Sequence, residues 1–279
     1  MSKSIEQSMK AKVRHIAEAQ SLRFNEIWDI LVMERFLARL SHSNHKADFI
    51  FKGGRLLAQY IDLHRETRDL DFLIRNINQD AKTIEQAFKK ITDMNLNDGF
   101  TFEHVKSSVL TQGHMKYPGL RINMVAILGG TKTRLTADVG FGDIVTEQSI
   151  KIPLLKTKKN ALFEDSISLQ VYPPEFIFAE KLEAAVFRGL LNSRMKDYHD
   201  MYLLIESKLL KSKKLSKAIK DTFKNRKTEL KNPSLEFPGS LEPLEIMWRS
   251  HLRILGEESN LPDKIAYVVT HINVFVAGL

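Results

Sequence analysis

The chain has 279 residues, of which 43% are hydrophobic and 27% charged, with no cysteine and a formal net charge of +8. That suits a globular protein able to bury a proper core, as one large domain or two small ones. Disulfides, thiolate catalysis and cysteine-based zinc or iron–sulfur sites are excluded, which fits a reducing cytoplasm. The start of the chain lacks a signal peptide's apolar core, and no run of about 18 apolar residues suggests a membrane span.

Residues 4–41 read as two helices. The second carries Phe24, Ile27, Trp28, Leu31, Phe36 and Leu40 near helical spacing, a stripe suited to covering a sheet. Residues 48–52 form a short apolar strand ending at Gly53-Gly54, and residues 56–63 the helix that follows. Residues 68–75 form a strand bearing two carboxylates, and residues 80–94 a surface helix turning Ile84, Phe88 and Ile91 inward. Three strands are expected next, over 100–110, 120–128 and 131–141. Gly129-Gly130 between the last two is a two-residue hairpin signal of the primed-turn kind. Residues 150–155 add a further short strand. Pro173-Pro174 marks a boundary, since proline is tolerated in the first turn of a helix and excluded from its interior. Helices are expected beyond it, over 175–191, 196–205, 211–224, 241–255 and 263–276, with residues 232–243 and their three prolines as the linker candidate. These elements predict an α+β fold: an N-terminal domain over 1–172, with 1–45 as helical cover, and a C-terminal α-helical bundle over 173–279.

The chemistry starts at Phe51-Lys52-Gly53-Gly54-Arg55 and continues at Arg68-Asp69-Leu70-Asp71-Phe72. Strand side chains alternate faces, so Asp69 and Asp71 share one side while Leu70 and Phe72 enter the core. Two adjacent carboxylates repel unless a cation lies between them, and oxygen-only ligands suit Mg²⁺ or Mn²⁺. A Gly-Gly turn lets backbone N–H groups approach a phosphate closely. Together these describe a site for a metal–nucleoside triphosphate. In the strand over 131–141, Leu135, Ala137, Val139 and Phe141 form the apolar face and Asp138 the charged centre of the other, which makes it the third candidate metal ligand; the alternative is a solvent-facing strand aspartate. On the helix after Pro174, Lys181, Ala184, Ala185 and Arg188 share a face, two cations separated by small residues. The alternative for Lys181 is surface pairing with Glu180 or Glu183. Asp197 and Asp200, three apart on the next helix, read by themselves as ordinary helix acids. Thr67 sits two residues before Asp69.

These motifs, in this order over roughly residues 33–205, resemble the AbiEii/AbiGii nucleotidyltransferase toxin family of the nucleotidyltransferase superfamily. The resemblance implies a nucleotidyltransferase-like mixed sheet flanked by helices, and a metal-dependent transfer of NMP from an NTP to an acceptor hydroxyl. It implies Asp69, Asp71 and Asp138 as catalytic metal ligands for Mg²⁺ (or Mn²⁺), with Lys181 and Asp200 also catalytic. Gly53, Gly54, Arg55, Thr67, Lys181, Arg188 and Asp197 would bind the nucleotide. Arg55 departs from the superfamily's small hydroxyl residue and offers a guanidinium instead. Implied partners are an RNA acceptor (a tRNA end among the options) and a cognate antitoxin, in a toxin–antitoxin or abortive-infection system of the cytoplasm, with no membrane role. The alternative from another class is a non-catalytic nucleotide- or nucleic-acid-binding regulator. Between residues 208 and 231 ten basic residues stand against Asp221 and Glu229, an excess equal to the net charge of the whole chain. That segment is the expected phosphate-binding surface for RNA, or else a solvated helix face. Walker, nucleophile-elbow and zinc-protease motifs are absent from the sequence.

Overall fold

A computed structural model describes residues 2–110, 119–229, 234–237, 239–256 and 260–279. The chain forms two compact units. The first comprises residues 1–56, 67–142 and 147–171, and the second residues 57–66, 143–146 and 172–279. Two short segments that the sequence analysis puts in the first domain thus fold with the second.

The first unit is built on one seven-stranded mixed sheet in the order β3-β4-β5-β2-β1-β7-β6. Its strands are β1 (Phe49–Lys52), β2 (Leu70–Ile74), β3 (Phe100–Leu110), β4 (Gly119–Leu128), β5 (Thr131–Gly140), β6 (Gln148–Pro153) and β7 (Ser166–Val171). Strand β2 pairs parallel with β5 and antiparallel with β1, which in turn pairs parallel with β7. Strand β7 has no counterpart among the elements expected from sequence, although Ile167, Leu169 and Val171 alternate inward. Gly129-Gly130 closes the β4–β5 hairpin with Leu128 opposite Thr131. Gly129, in the first central position, has φ 59°, as a primed turn needs. Glu6 of α1 (Ser2–Ala19) accepts the Gly130 N–H at 2.8 Å and the Thr131 hydroxyl at 2.6 Å, which holds its carboxyl down at about 2 together with Lys10, the first cause.

Helix α2 (Phe24–His42) is buried along its whole length from Leu31 to Leu40 and not only along the apolar stripe. Its polar residues are accommodated in pairs: Arg39 donates two bonds to Asp98, at 2.8 and 2.9 Å, and Arg35 bonds Glu164 while lying over the Phe163 ring at 4.2 Å. Phe36 of α2 packs on Phe72 and on Phe88 of α4 (Ala81–Thr92), and Phe49 meets the same two rings, which ties the helices to β1 and β2. Asp80 caps α4 by accepting the Thr83 N–H at 2.9 Å.

The second unit contains α5 (Pro174–Arg188), α6 (Met195–Glu206), α7 (Ser212–Arg226), α8 (Glu242–Leu255) and α9 (Ile265–Ala277). Pro174 occupies the first turn of α5. Phe178 packs edge-on against Phe275, and fully buried Trp248 donates its indole N–H to the Pro262 carbonyl at 2.9 Å. Among the described residues, no helix is long and apolar enough to cross a membrane.

Candidate active site

The acidic residues of the first unit meet because of strand register. Asp71 of β2 lies opposite Asp138 of β5 across a parallel pairing and opposite Lys52 of β1 across an antiparallel one. Asp138 in turn lies opposite Arg121 of β4. A single row therefore crosses four strands as Arg121, Asp138, Asp71, Lys52, with charges plus, minus, minus, plus. Asp69 stands one residue before β2 and is exposed, whereas Asp71 is half-buried. The alternation that puts Leu70 and Phe72 wholly in the core carries both acids to the other face.

Gly53 shapes the space beside Asp71. Its φ is 75°, and a Cβ built there would sit 1.9 Å from Asp71 Oδ2 and 2.6 Å from Asp71 Cβ. The carboxylate thus fills the space that any side chain at position 53 would need. The helix following the turn is shorter than the sequence analysis expects: α3 is Gly53–Leu57, and the chain enters the second unit at Leu57. Five residues sum too few peptide dipoles to make a strong anion site, so the turn acts here mainly by admitting Asp71. Arg55 is partly buried and feels the charges of Glu34 and Glu26 from α2. Burial pulls its pKa down, and those two acids oppose the shift. Glu34 accepts the Leu155 N–H through both oxygens, at 3.1 and 3.0 Å, and burial pushes its carboxyl up to about 7 against that bond and the Arg55 charge. Thr67 is half-buried.

Arg121 is the residue the sequence analysis misses. Its Nε donates to Asp138 Oδ1 and its Nη2 to Asp138 Oδ2, both at 2.8 Å, a two-pronged fit of guanidinium to carboxylate. The Asp138 hydrogen bond raises the Arg121 pKa, and the charges of Asp69 and Asp71 add to it, which puts all three carboxylates within electrostatic reach of one guanidinium. The signal was in the hairpin. Counting outward from Gly129-Gly130 brings residue 121 opposite residue 138.

In the second unit, α5 and α6 bring Lys181, Asp197 and Asp200 together. The Lys181 ammonium lies 2.8 Å from Asp197 Oδ1 and 2.8 Å from Asp200 Oδ2. Arg194 donates to Asp197 at 2.6 Å, and Arg65 grips Asp200 with three bonds of 2.7 to 3.0 Å. Both acids are buried, and burial alone would raise their pKa values; Lys181 with Arg194 or Arg65 pulls them below the ordinary range instead. Burial likewise pushes the Lys181 ammonium down, and the two aspartates more than reverse it. Lys181 does not pair with Glu180 or Glu183. Glu183 belongs to Arg226, which donates to it at 2.9 Å and also lies near Asp143 and Glu180 at 3.4 Å. Arg188 is half-buried; burial and then the Arg194 charge lower its pKa, against Asp197 and Glu183. Arg226 corrects the reading of the basic segment, since this member is inside and neutralised. Lys213, Lys214, Lys217, Lys220 and Lys224 remain exposed on α7, and Lys231 lies outside the described residues.

An all-oxygen donor set suits Mg²⁺ or Mn²⁺, and two carboxylates in register beside a glycine turn match the few protein ligands Mg²⁺ takes. Among the described residues no group of three or more acids or histidines stands ready-arranged around a metal position. The acids are present and adjacent, with Arg121 bonded to one of them.

The sheet with its acidic row is that of an α+β protein with a seven-stranded mixed sheet. A narrower assignment follows from sequence. The family model for the nucleotidyl transferase AbiEii toxin of a Type IV TA system matches residues 35–266, and the chain belongs to that family. Two structures from Helicobacter pylori align with it. One, assigned as a nucleotidyltransferase, is 14% identical with a TM-score of 0.48, covering 92% of this chain and 95% of that one. The other, JHP933, is 15% identical with a TM-score of 0.43, covering 85% and 96%. No curated protein matches the chain.

Proposed function

We propose that this protein transfers a nucleoside monophosphate from an NTP to a hydroxyl on an RNA acceptor, with release of pyrophosphate, in a divalent-metal-dependent reaction. The observation that carries the reading is the in-register pairing of Asp71 with Asp138 beside Gly53, in a chain of the AbiEii family. Mg²⁺ at these carboxylates would supply positive charge to offset the negative charge that develops on the phosphates. Asp71 and Asp138 would hold it from two strands, and Asp69, more exposed, would complete the ligand set. Gly53 keeps the Asp71 carboxylate in place by having no side chain. Lys181 takes the triphosphate role by family resemblance, and its position between Asp197 and Asp200 supports this by fixing the ammonium and keeping it charged. The exposed lysines of α7 offer a surface for acceptor phosphates.

The test is incubation of the purified chain with total RNA and each labelled NTP in Mg²⁺, followed by gel analysis. Label should move into RNA, and Asp71→Asn and Asp138→Asn should each cost at least about 10²-fold in rate, on the scale of a lost electrostatic stabiliser. Retained NTP binding without label transfer to any RNA would overturn the transferase reading in favour of a binding protein.

A further inference from the structure

The acidic row is closed by a cation of its own. Both Asp138 oxygens are taken by the Arg121 fork at 2.8 Å. Asp69 and Asp71 act on the same guanidinium. In a parallel pairing Asp71 and Asp138 stand side by side, and their mutual repulsion needs a counter-charge for the row to hold its register. Arg121 supplies one from the far side of Asp138. The contact is also releasable. The Arg121 side chain is 41% exposed and its outer neighbour in register, Ser108 of β3, is exposed, so the guanidinium can leave without opening the core.

Resting on the metal-dependent reading above, we propose that Arg121 is a positioning residue. Its guanidinium holds Asp138 in line with Asp71, and a divalent ion must displace it to engage Asp138. A monovalent cation on a rigid fork and a divalent ion compete for the same oxygens, and each repels the other across the row. The competition gives the site a threshold: it stays ordered without metal and binds metal more weakly than its carboxylates alone would. Displacement leaves a mobile guanidinium beside the metal position, where the fork geometry that fitted a carboxylate also fits a phosphate.

The probe is Mn²⁺, titrated into the full chain and followed by the electron paramagnetic resonance signal of the free ion, with folding checked by circular dichroism. Arg121→Ala should bind Mn²⁺ about tenfold more tightly than the wild type. Arg121→Gln, which keeps a hydrogen-bond donor without the charge, should show the same direction, and Arg121→Lys should fall between. If Arg121 merely braced the strands, its loss would loosen Asp138 and weaken binding. Equal or weaker Mn²⁺ affinity in folded Arg121→Ala and Arg121→Gln therefore overturns the proposal while leaving the metal reading in place. Saturable binding in none of these proteins overturns the metal reading itself, and this inference with it.

Discussion

Replacing Gly53 by alanine tests the geometry of the site and the stability of its unit in one variant. The added Cβ would lie 1.9 Å from Asp71 Oδ2, 2.4 Å from Cγ and 2.6 Å from Cβ. A change of rotamer moves the first two atoms away but not the last, because Asp71 Cβ is fixed to the β2 backbone. The turn or the strand must therefore shift. The φ of 75° adds a conformational cost of about 1–2 kcal/mol for a residue with a Cβ, and overpacking of this kind costs about 1–3 kcal/mol. A total of about 3 kcal/mol corresponds to a Tm lower by about 6–12 °C for a unit of roughly 150 residues. Gly99→Ala is the matched control in the same unit. Its φ is 78°, but the Cβ would meet only side-chain carbons, Leu128 Cδ1 at 3.2 Å and Ile5 Cγ2 at 3.3 Å. That variant should lose only about 1–2 kcal/mol, the conformational part. Thermal melts by circular dichroism, paired with Mn²⁺ titration, separate the two effects. Gly53→Ala should melt lower than Gly99→Ala and bind Mn²⁺ more weakly, while Gly99→Ala keeps its affinity. Equal melting points together with undiminished Mn²⁺ binding would refute the argument that Gly53 exists to seat Asp71.

Lys181→Ala removes the ammonium shared by two buried acids; with Arg194 and Arg65 still in place the cost should fall at the low end of about 3–5 kcal/mol, read as a lower melting point of the second unit. In the proposed reaction the same variant should raise the apparent KM for NTP and lower kcat, and a change confined to acceptor affinity would reassign it. Glu34 titrates at about 7 when folded against an ordinary 4.5, so its contribution is full below pH 4.5 and is lost as pH rises through 7. Wild-type stability should therefore fall by up to about 3 kcal/mol between pH 5 and 8 through this group, and chemical denaturation of Glu34→Gln across that range should show the slope removed. Changing Lys213, Lys214, Lys217 and Lys220 to Gln should weaken RNA binding and flatten its dependence on salt while NTP binding survives; an unchanged salt slope would make α7 a solvated face.

The parts of the fold governed by local rules could be read from the sequence. The hairpin at Gly129-Gly130, the proline start of α5 and the inward set of α4 each rest on a rule that operates within a few residues. What was missed depended on distant partners. Strand β7 alternates clearly, but its six residues are placed by their partners, β6 antiparallel along its length and β1, far away in sequence, in parallel. The helix expected over 56–63 has helical residues but ends at Leu57, where the chain changes unit. Arg35 and Arg39 look like the polar side of an amphipathic helix; Asp98 and Glu164, which allow them to be buried, lie 59 or more residues away. The same holds at the site. Asp71 and Asp138 were legible as acids on polar strand faces, whereas Arg121 required the hairpin register to be carried through to its partner. Arg226 counted as one more basic residue until Glu183, Glu180 and Asp143 enclosed it.

A common principle runs through both units, and it predicts how the chain responds to chelation. Three of the candidate-site acids are already offset by side chains: Asp138 by Arg121, and Asp197 and Asp200 by Lys181, Arg194 and Arg65. A site whose acids depended on a metal for their only counter-charge would couple metal binding to folding, and removing the ion would lower the melting point steeply. Here repulsion within the row is countered without it, so treatment of the purified chain with EDTA should leave its Tm unchanged to within about 1 °C. Added Mn²⁺ should stabilise only through mass action, by about 1.4 kcal/mol at ten times its dissociation constant. In Arg121→Ala the balance should reverse. The metal-free variant should melt below the wild type, and Mn²⁺ at a fixed concentration should raise its melting point by more, because the ion now supplies the charge that the guanidinium had supplied. A wild type that loses stability in EDTA, with Arg121→Ala showing no larger response to Mn²⁺, would mean that the carboxylates are balanced by something other than the arginine beside them.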